Sequence, residues 1–228
     1  MGVFYAGTSK FELPKLLRLN GKKINIFSPV EKSLAYDFIN IFLDDEYGLN
    51  KLKTVPVTIV DIGANIGLFS LRAGSLFPKA KIHAYEVNPR LKCHLSKNLE
   101  QIQGDFFLEA VGSKGGNGLC IDSGDSRLGI FKNGAGDSKM IGLNTVLDRI
   151  GTQIDLLKID CEGGEWEIFE NPVPFQKVRS IRMEYHLVDG KTLLDLKKSA
   201  EQIGFEIVKL EENSGFGIAW MDAPGFKR

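Results

Sequence analysis

The sequence has 228 residues, 43% of them hydrophobic, which is enough for one sizeable core and predicts a single domain. Basic and acidic residues number 29 each, so the net charge is zero and no basic excess indicates a nucleic-acid partner. No apolar run is long enough for a membrane span, no secretory signal pattern stands at the N-terminus, and the three cysteines lack metal-site spacing. These features predict a cytoplasmic protein with reduced thiols.

Residues 1–53 are weakly patterned and are predicted to form a small N-terminal cap on the core, which then comprises residues 54–228. Asn20-Gly21 is a turn signal between two short apolar stretches, and it leaves a β-hairpin or a short helix plus strand as alternatives. Ser28-Pro29 favours a helix start, and the helix is predicted to end near residues 44–46. Its apolar stripe comprises Leu34, Phe38, Ile41 and Phe42.

The stretch Val57–Phe69, V-T-I-V-D-I-G-A-N-I-G-L-F, predicts a buried strand, a small-residue turn and a helix. Glycines let the backbone approach a ligand, and a helix N-terminus offers free N–H groups. A carboxylate ahead of the loop would repel a pyrophosphate, so a ligand with an ammonium group suits this corner better than a dinucleotide. An ordinary tight turn without a ligand is the alternative. The candidate binding residues are Asp61, Gly63, Ala64, Asn65 and Gly67.

Strands and helices continue to alternate after this corner. Strands are predicted at Ala80–Tyr85, Phe106–Val111, Met140–Leu147, Ile154–Ile159 and Val178–Tyr185. Residues 113–138 are glycine-rich and predict an inserted hairpin or a mobile loop. The segments Phe205–Leu210 and Phe216–Met221 flank a turn and predict a terminal antiparallel hairpin. The whole pattern predicts an α/β fold, with a mostly parallel, doubly wound sheet and helices on both faces.

In such a sheet, ligands bind beyond the carboxyl ends of the strands. Glu86 ends the second predicted strand, 25 residues after Asp61, where a carboxylate can accept hydrogen bonds from both hydroxyls of a ribose. A solvated strand-end carboxylate is the alternative. Ala110 and Val111 end the third predicted strand and suit a purine ring, although core packing explains them equally well.

Acidic groups and one imidazole crowd the ends of the next two strands: Asp160, Glu162, Glu165, Glu184 and His186. Like charges repel, so this cluster favours a site for a cation, a hydroxyl substrate or a proton transfer. His186 is either a general base or a structural hydrogen-bonding residue. Asp160 and Glu162 either orient substrate hydroxyls, bind a divalent metal, or pair with Lys158 or Arg182.

Five segments, in this order and spacing, resemble the FkbM family of class I S-adenosylmethionine-dependent methyltransferases over about residues 45 to 190. The segments are V-D-I-G-A-N-I-G from Val60, Y-E-V-N-P from Tyr85, A-V-G from Ala110, L-K-I-D-C-E-G-G-E from Leu157 and E-Y-H from Glu184. The K-I-D-x-E-G-x-E pattern is the most specific, because DNA amino-methyltransferases carry a Pro-Pro pair in its place. Cys161 stands where the family more often has valine or a similar residue, with no expected effect on the chemistry.

The resemblance implies a seven-stranded class I fold and S-adenosylmethionine-dependent O-methylation of a hydroxyl on a small molecule or glycan. His186, aided by Asp160 or Glu162, is expected to take the hydroxyl proton, and Asp160, Glu162 and Glu184 are the candidates for a metal. An RNA methyltransferase and a non-catalytic cofactor- or nucleotide-binding module, or an NAD-dependent enzyme, are the alternatives. Beyond the glycine loop, cofactor contacts are expected from Glu86, Val87, Asn88, Ala110, Val111 and Asp160.

Overall fold

The computed structural model describes residues 11–122, 124–125 and 130–225. The strands are β1 Leu16–Leu19, β2 Lys22–Asn25, β3 Thr58–Ile62, β4 Lys81–Tyr85, β5 Asp105–Phe107, β6 Ala110–Gly112, β7 Gly116–Ile121, β8 Ile130–Asn133, β9 Ser138–Gly142, β10 Ile154–Ile159, β11 Val178–His186, β12 Glu206–Glu212 and β13 Phe216–Asp222. The α-helices are α1 Ser33–Phe38, α2 Leu68–Leu76, α3 Lys92–Glu100, α4 Leu143–Ile150, α5 Glu165–Phe169 and α6 Leu193–Gln202. A π-helical turn, Ile39–Leu43, continues α1, and 3₁₀ turns lie at Leu49–Lys51, Pro89–Leu91 and Val173–Lys177.

The main sheet has seven strands in the order β12-β13-β11-β10-β3-β4-β5. The five strands from β11 to β5 run parallel, whereas β13 is antiparallel to both β11 and β12. This arrangement confirms the predicted doubly wound, mostly parallel sheet and its C-terminal hairpin. The chain order along the sheet reverses between β3 and β10, and ligands bind at such a point in sheets of this kind.

Apolar side chains fill both faces of the main sheet. Adjacent residues of a strand point to opposite faces, so Ile59 joins one buried cluster and Val60 joins the other. The first cluster also contains Leu17 and Phe38 of the N-terminal segment, which therefore packs on the same face as α2 and α3. The hairpin alternative is the one found for this segment, since β1 and β2 pair antiparallel around Asn20-Gly21.

Two predicted strands have wrong limits. Phe106–Val111 is divided, because β5 pairs with β4 in the main sheet while β6 pairs with β9 in a second sheet of order β6-β9-β7-β8. The strand predicted at Met140–Leu147 ends at Gly142, where α4 begins, because its buried residues recur at helical spacing.

Residues 113–138 contain the antiparallel pair β7 and β8, which is the hairpin alternative of the prediction. The part of that prediction on residues 123 and 126–129 lies outside the described residues. Within the described ranges, no helix combines the length and the hydrophobicity that crossing a bilayer requires.

Candidate functional site

A cleft opens beyond the carboxyl ends of the central parallel strands, beside the reversal between β3 and β10. The predicted site residues that line it are Gly63, Asn65, Glu86, Val87, Asn88, Ala110, Val111, Asp160, Glu162 and Glu184. Asp37 of α1 and two residues of the second sheet, Cys120 and Phe131, also line the cleft. The structure thus brings most predicted positions into one concave site, and adds walls from the N-terminal segment and the inserted hairpin.

The loop after β3 has a backbone that few residue types can adopt. Gly63, Asn65 and Gly67 have φ angles of 71°, 52° and 85°. A Cβ atom at Gly63 would overlap the carbonyl oxygen of Asp160, so the loop lies directly against the end of β10. The N–H groups of Gly63 and Ala64 both donate to the carbonyl oxygen of Tyr85, at 3.0 Å each. Glycine at position 63 therefore permits the contact that joins the ends of β3, β4 and β10.

Glu86 is a buried carboxylate held by two backbone donors. Its Oε2 accepts the N–H of Asn65 at 2.8 Å, and its Oε1 accepts the N–H of Asn88 at 2.7 Å. Burial raises the pKa of Glu86, and these two hydrogen bonds work in the opposite direction. Each oxygen has a second lone pair, so this carboxylate at the cleft wall can accept hydrogen bonds from two adjacent hydroxyls. This pair of acceptor oxygens fits the two hydroxyls of a ribose in a nucleoside cofactor.

Asp61 lies behind the loop and is fully buried. Its Oδ2 accepts the hydroxyl of Ser70 at 2.7 Å, and its Oδ1 is 3.2 Å from Nζ of Lys158. It is not among the described residues that line the cleft. Its carboxylate supports the loop indirectly, because Nζ of Lys158 also donates to the carbonyl oxygen of Gly63 at 2.6 Å.

Lys158 lies between Asp61 and the cleft residue Asp160, and its contact with Asp61 was not predicted from the sequence. Burial opposes its charge, but the carboxylates of Asp61 and Asp160 raise the pKa of Lys158 above its ordinary value. Oδ2 of Asp160 lies 3.4 Å from Nζ of Lys158 and accepts the Tyr47 hydroxyl at 3.1 Å. The predicted alternative of ion pairing with Lys158 therefore applies to Asp160, whereas Arg182 pairs with Asp222 at 3.1 Å.

Glu46 is a second residue that sequence reasoning missed. Burial, together with the nearby carboxylates of Glu184, Asp160 and Asp37, raises its pKa to about 9. A glutamate with this pKa is protonated at neutral pH and can donate a hydrogen bond. The N-terminal segment thus adds acidic groups to the end of the cleft that Asp160 and Glu184 form.

His186 lies between two carboxylates. Its Nε2 is 3.3 Å from Oε2 of Glu162, and its Nδ1 is 3.2 Å from Oε1 of Glu165. Burial lowers its pKa, but Glu165, Glu162 and Asp160 outweigh burial and raise the pKa of His186 to about 9. His186 itself is not among the described lining residues, and Glu162 stands at the cleft wall in front of it.

One group of possible metal ligands occurs in the described part of the chain. Asp160, Glu162 and His186 each offer a ligand atom, and these atoms lie within 4.8 Å of one another. Glu184, the third predicted candidate, is not in this group. Two carboxylates and an imidazole are suitable ligands for a divalent cation, and equally suitable for moving a proton.

Ion pairs join the cleft walls on the side of Ala110 and Val111. Arg90, in the turn after Asn88, pairs with Glu31 of the N-terminal segment and with Asp122 after β7, the latter at 2.7 Å from its Nε. Glu109 pairs with Arg149 of α4. Tyr85 lies near this pair, and burial raises the pKa of its hydroxyl to about 12. These contacts fix the second sheet and the N-terminal segment to the main sheet around the cleft.

Comparison with known proteins identifies the family to which the sequence is similar. A sequence profile of the methyltransferase FkbM domain matches residues 61–213. Methyltransferase sdnD of Sordaria araneosa is 28% identical over 245 residues, which cover 86% of this chain and 90% of that protein.

Two solved structures share the fold. A fibrillarin pre-rRNA processing protein of Methanococcus jannaschii is 15% identical, with a TM-score of 0.53 over 98% of this chain and 86% of that one. TrmK of M. capricolum, in complex with S-adenosylhomocysteine, is 16% identical, with a TM-score of 0.52 over 79% of this chain and 68% of that one.

Proposed function

The chain belongs to the FkbM methyltransferase family, and on that basis we propose that it transfers the methyl group of S-adenosylmethionine to a hydroxyl oxygen of a small molecule or glycan. The observation that carries this proposal is one cleft lined both by the Glu86 carboxylate, whose oxygens can each accept a further hydrogen bond, and by Glu162, which pairs with His186. Glu86 and the glycine loop would bind the cofactor, and the Glu162–His186 pair would accept the proton.

S-adenosylmethionine supplies, when bound, a methyl group already activated by its sulfonium. Glu86 would hold the ribose hydroxyls, and Val87 and Asn88 continue the same wall. Asp160, beside Gly63, would face the ammonium group, because its carboxylate lines the cleft while that of Asp61 lies behind the loop. The other wall, with Ala110 and Val111, offers apolar contact to a purine ring.

The acceptor hydroxyl would lie beside Glu162, at the end of the cleft where Glu184 also stands. Its oxygen forms a bond to the methyl carbon as the methyl–sulfur bond breaks, and the electron pair of that bond stays on sulfur. The hydroxyl proton passes to the Glu162–His186 pair. Because the methyl donor is already activated, positioning contributes more to the rate than proton removal does.

A metal-assisted variant of the same reaction is the second candidate, favoured by the spacing of Asp160, Glu162 and His186. A divalent cation on these atoms would bind the acceptor hydroxyl and make it more acidic. Transfer that disappears in EDTA and returns with Mg²⁺ or Mn²⁺ would support this variant. Transfer that persists in EDTA would leave the metal-free pair as the proton acceptor.

We place acceptor selection in the N-terminal cap, residues 1–53, and in the inserted hairpin of residues 113–138. Asp37 lines the cleft, and the Tyr47 hydroxyl holds Asp160 from the cap side. Cys120 and Phe131 line it from the second sheet. On this proposal the chain is one methyltransferase domain, in which residues 54–228 bind the cofactor and carry the reaction.

The decisive experiment is a methyl-transfer screen with labelled S-adenosylmethionine over sugar, lipid, polyketide and RNA acceptors, with and without EDTA. We expect labelled product with a hydroxyl acceptor, and calorimetric binding of S-adenosylhomocysteine but not of NAD. His186→Ala should retain S-adenosylhomocysteine binding and lose most of its turnover. Labelling of RNA alone, with RNA affinity that falls steeply with salt in filter binding, would replace this proposal with an RNA methyltransferase.

A further inference from the structure

The first two residues of α5 hold His186 at three atoms. Oε1 of Glu165 accepts the His186 backbone N–H at 2.6 Å and lies 3.2 Å from ring Nδ1. The indole Nε1 of Trp166 donates to the His186 carbonyl oxygen at 2.7 Å. On its other side, the imidazole stacks against Phe216, with ring centroids 6.3 Å apart and planes inclined by 19°. Backbone and ring are therefore fixed together, and Nε2 faces Glu162.

The Glu165 side chain is itself held in place, so its carboxylate has a fixed orientation toward the His186 ring. It is fully buried, and its Oε2 accepts the N–H of Gly163 at 2.9 Å. Both carboxylate oxygens thus accept backbone donors, and Oε1 has one more lone pair, directed at Nδ1 of His186. A carboxylate has only acceptor oxygens, so its contact with the ring favours a proton on Nδ1.

We propose that Glu165 is a positioning residue for the methyl transfer, which holds the neutral His186 ring as the Nδ1–H tautomer so that the lone pair of Nε2 faces Glu162 at the cleft wall. The inference rests on the proposed function, because it states which ring nitrogen of His186 accepts the proton in that reaction. Imidazole free in water favours the opposite tautomer, with the proton on Nε2. Without Glu165, the neutral ring would therefore present an N–H to Glu162, where the Glu162–His186 pair needs a lone pair to accept the hydroxyl proton.

The charges around the ring agree with this assignment. The groups that face it are Glu165 of α5, Glu162 in the turn after β10 and Asp160 at the end of that strand. Glu162 lies at Nε2, at 3.3 Å, and is half-buried, whereas Glu165 at Nδ1 is fully buried. Nδ1 therefore has the partner that is more shielded from water, and the same carboxylate oxygen also accepts the His186 backbone N–H.

Nitrogen-15 NMR of histidine-labelled protein tests the tautomer directly. The chain has three histidines, so the His186 signals are assigned by their loss in His186→Ala. In the neutral ring of the wild type, we expect Nδ1 to be protonated and Nε2 to be unprotonated. A neutral ring protonated at Nε2 would overturn the inference. This measurement needs no Glu165 variant and no acceptor, so it stands apart from the outcome of the methyl-transfer screen.

Glu165→Gln tests the effect of this contact on methyl transfer. An amide in this position cannot accept all three N–H groups, so we expect the Nδ1–H preference to be lost and kcat to fall roughly 10–100-fold. The KM of the acceptor and the Kd of S-adenosylhomocysteine should stay near wild-type values, because the cleft wall is unchanged. Glu170→Gln, an exposed position at the other end of α5, is the matched control and should change neither quantity. A wild-type kcat in Glu165→Gln, or an equal fall in the control, would refute the positioning role.

Discussion

Gly63→Ala tests the contact on which the geometry of the cleft depends. Gly63 has a φ of 71°, and a Cβ atom there would overlap the backbone carbonyl oxygen of Asp160. Both groups belong to main chain, so no side chain can rotate away to relieve the overlap. The glycine loop and the end of β10 must separate, which moves the cofactor loop away from Asp160.

The loss of stability in Gly63→Ala has two parts, and Gly151→Ala is the control that separates them. A left-handed φ costs a non-glycine residue about 1–2 kcal/mol, and forced movement in a packed region adds about 1–3 kcal/mol. Gly151, with a φ of 78° at the C-cap of α4, has open space where a Cβ would stand. We therefore expect the free energy of unfolding to fall by about 1–2 kcal/mol in Gly151→Ala and by about 2–5 kcal/mol in Gly63→Ala.

Urea denaturation measures the two losses, and calorimetry with S-adenosylhomocysteine measures the effect on the site. Gly63→Ala should bind this product at least about tenfold more weakly, and Gly151→Ala should bind it like the wild type. Equal losses of stability in the two variants, together with equal binding, would show that the loop does not lie tightly against β10. The description of the cleft given above would then be wrong.

Three further outcomes follow from the site. Glu86→Gln should weaken S-adenosylhomocysteine binding about 10–100-fold by calorimetry, because an amide cannot accept both backbone N–H groups and the ribose; unchanged affinity would place the ribose elsewhere. The pKa of Glu46 rises from 4.5 to about 9 on folding, so the wild type loses stability as pH rises between these values. Between about pH 5 and about pH 8, Glu46→Gln should therefore become more stable relative to the wild type by up to about 1.4 kcal/mol per pH unit, as measured by urea denaturation. A difference in the free energy of unfolding that stays constant with pH would contradict the burial of this carboxyl group. Because the proton acceptor works unprotonated, kcat should rise close to tenfold per pH unit up to the His186 pKa of about 9, and a flat profile would exclude this histidine from proton removal.

Local sequence was sufficient to predict the parallel sheet and most of the cleft. The strand, glycine loop and helix around Gly63 are adjacent in sequence, and the rule that ligands bind at strand ends placed Glu86 and Asp160 on the same edge. The third strand was misjudged because β5 and β6 have only three residues each, too few for a period-two pattern to show a change of sheet.

Contacts between distant segments could not be predicted in this way. Tyr47 and Asp160 are 113 residues apart, and nothing in either local pattern indicates that they meet. Lys158 looks like an ordinary strand residue, yet it is buried between two carboxylates because Asp61 faces it from the neighbouring strand. Burial of a charge depends on its partner, which composition and periodicity do not reveal.

The parallel pairing of β6 with β9 bears on how such a protein can diversify. The segment after β6 begins beyond Gly112, and the chain comes back beside β6 as β9. Gly112 and Gly142 are register partners in this pair of strands. The intervening hairpin belongs to the second sheet, so its length and residues can change without altering a strand of the main sheet. On the proposal that this segment helps to select the acceptor, its exchange is a route to new acceptors, in evolution or by engineered loop grafting.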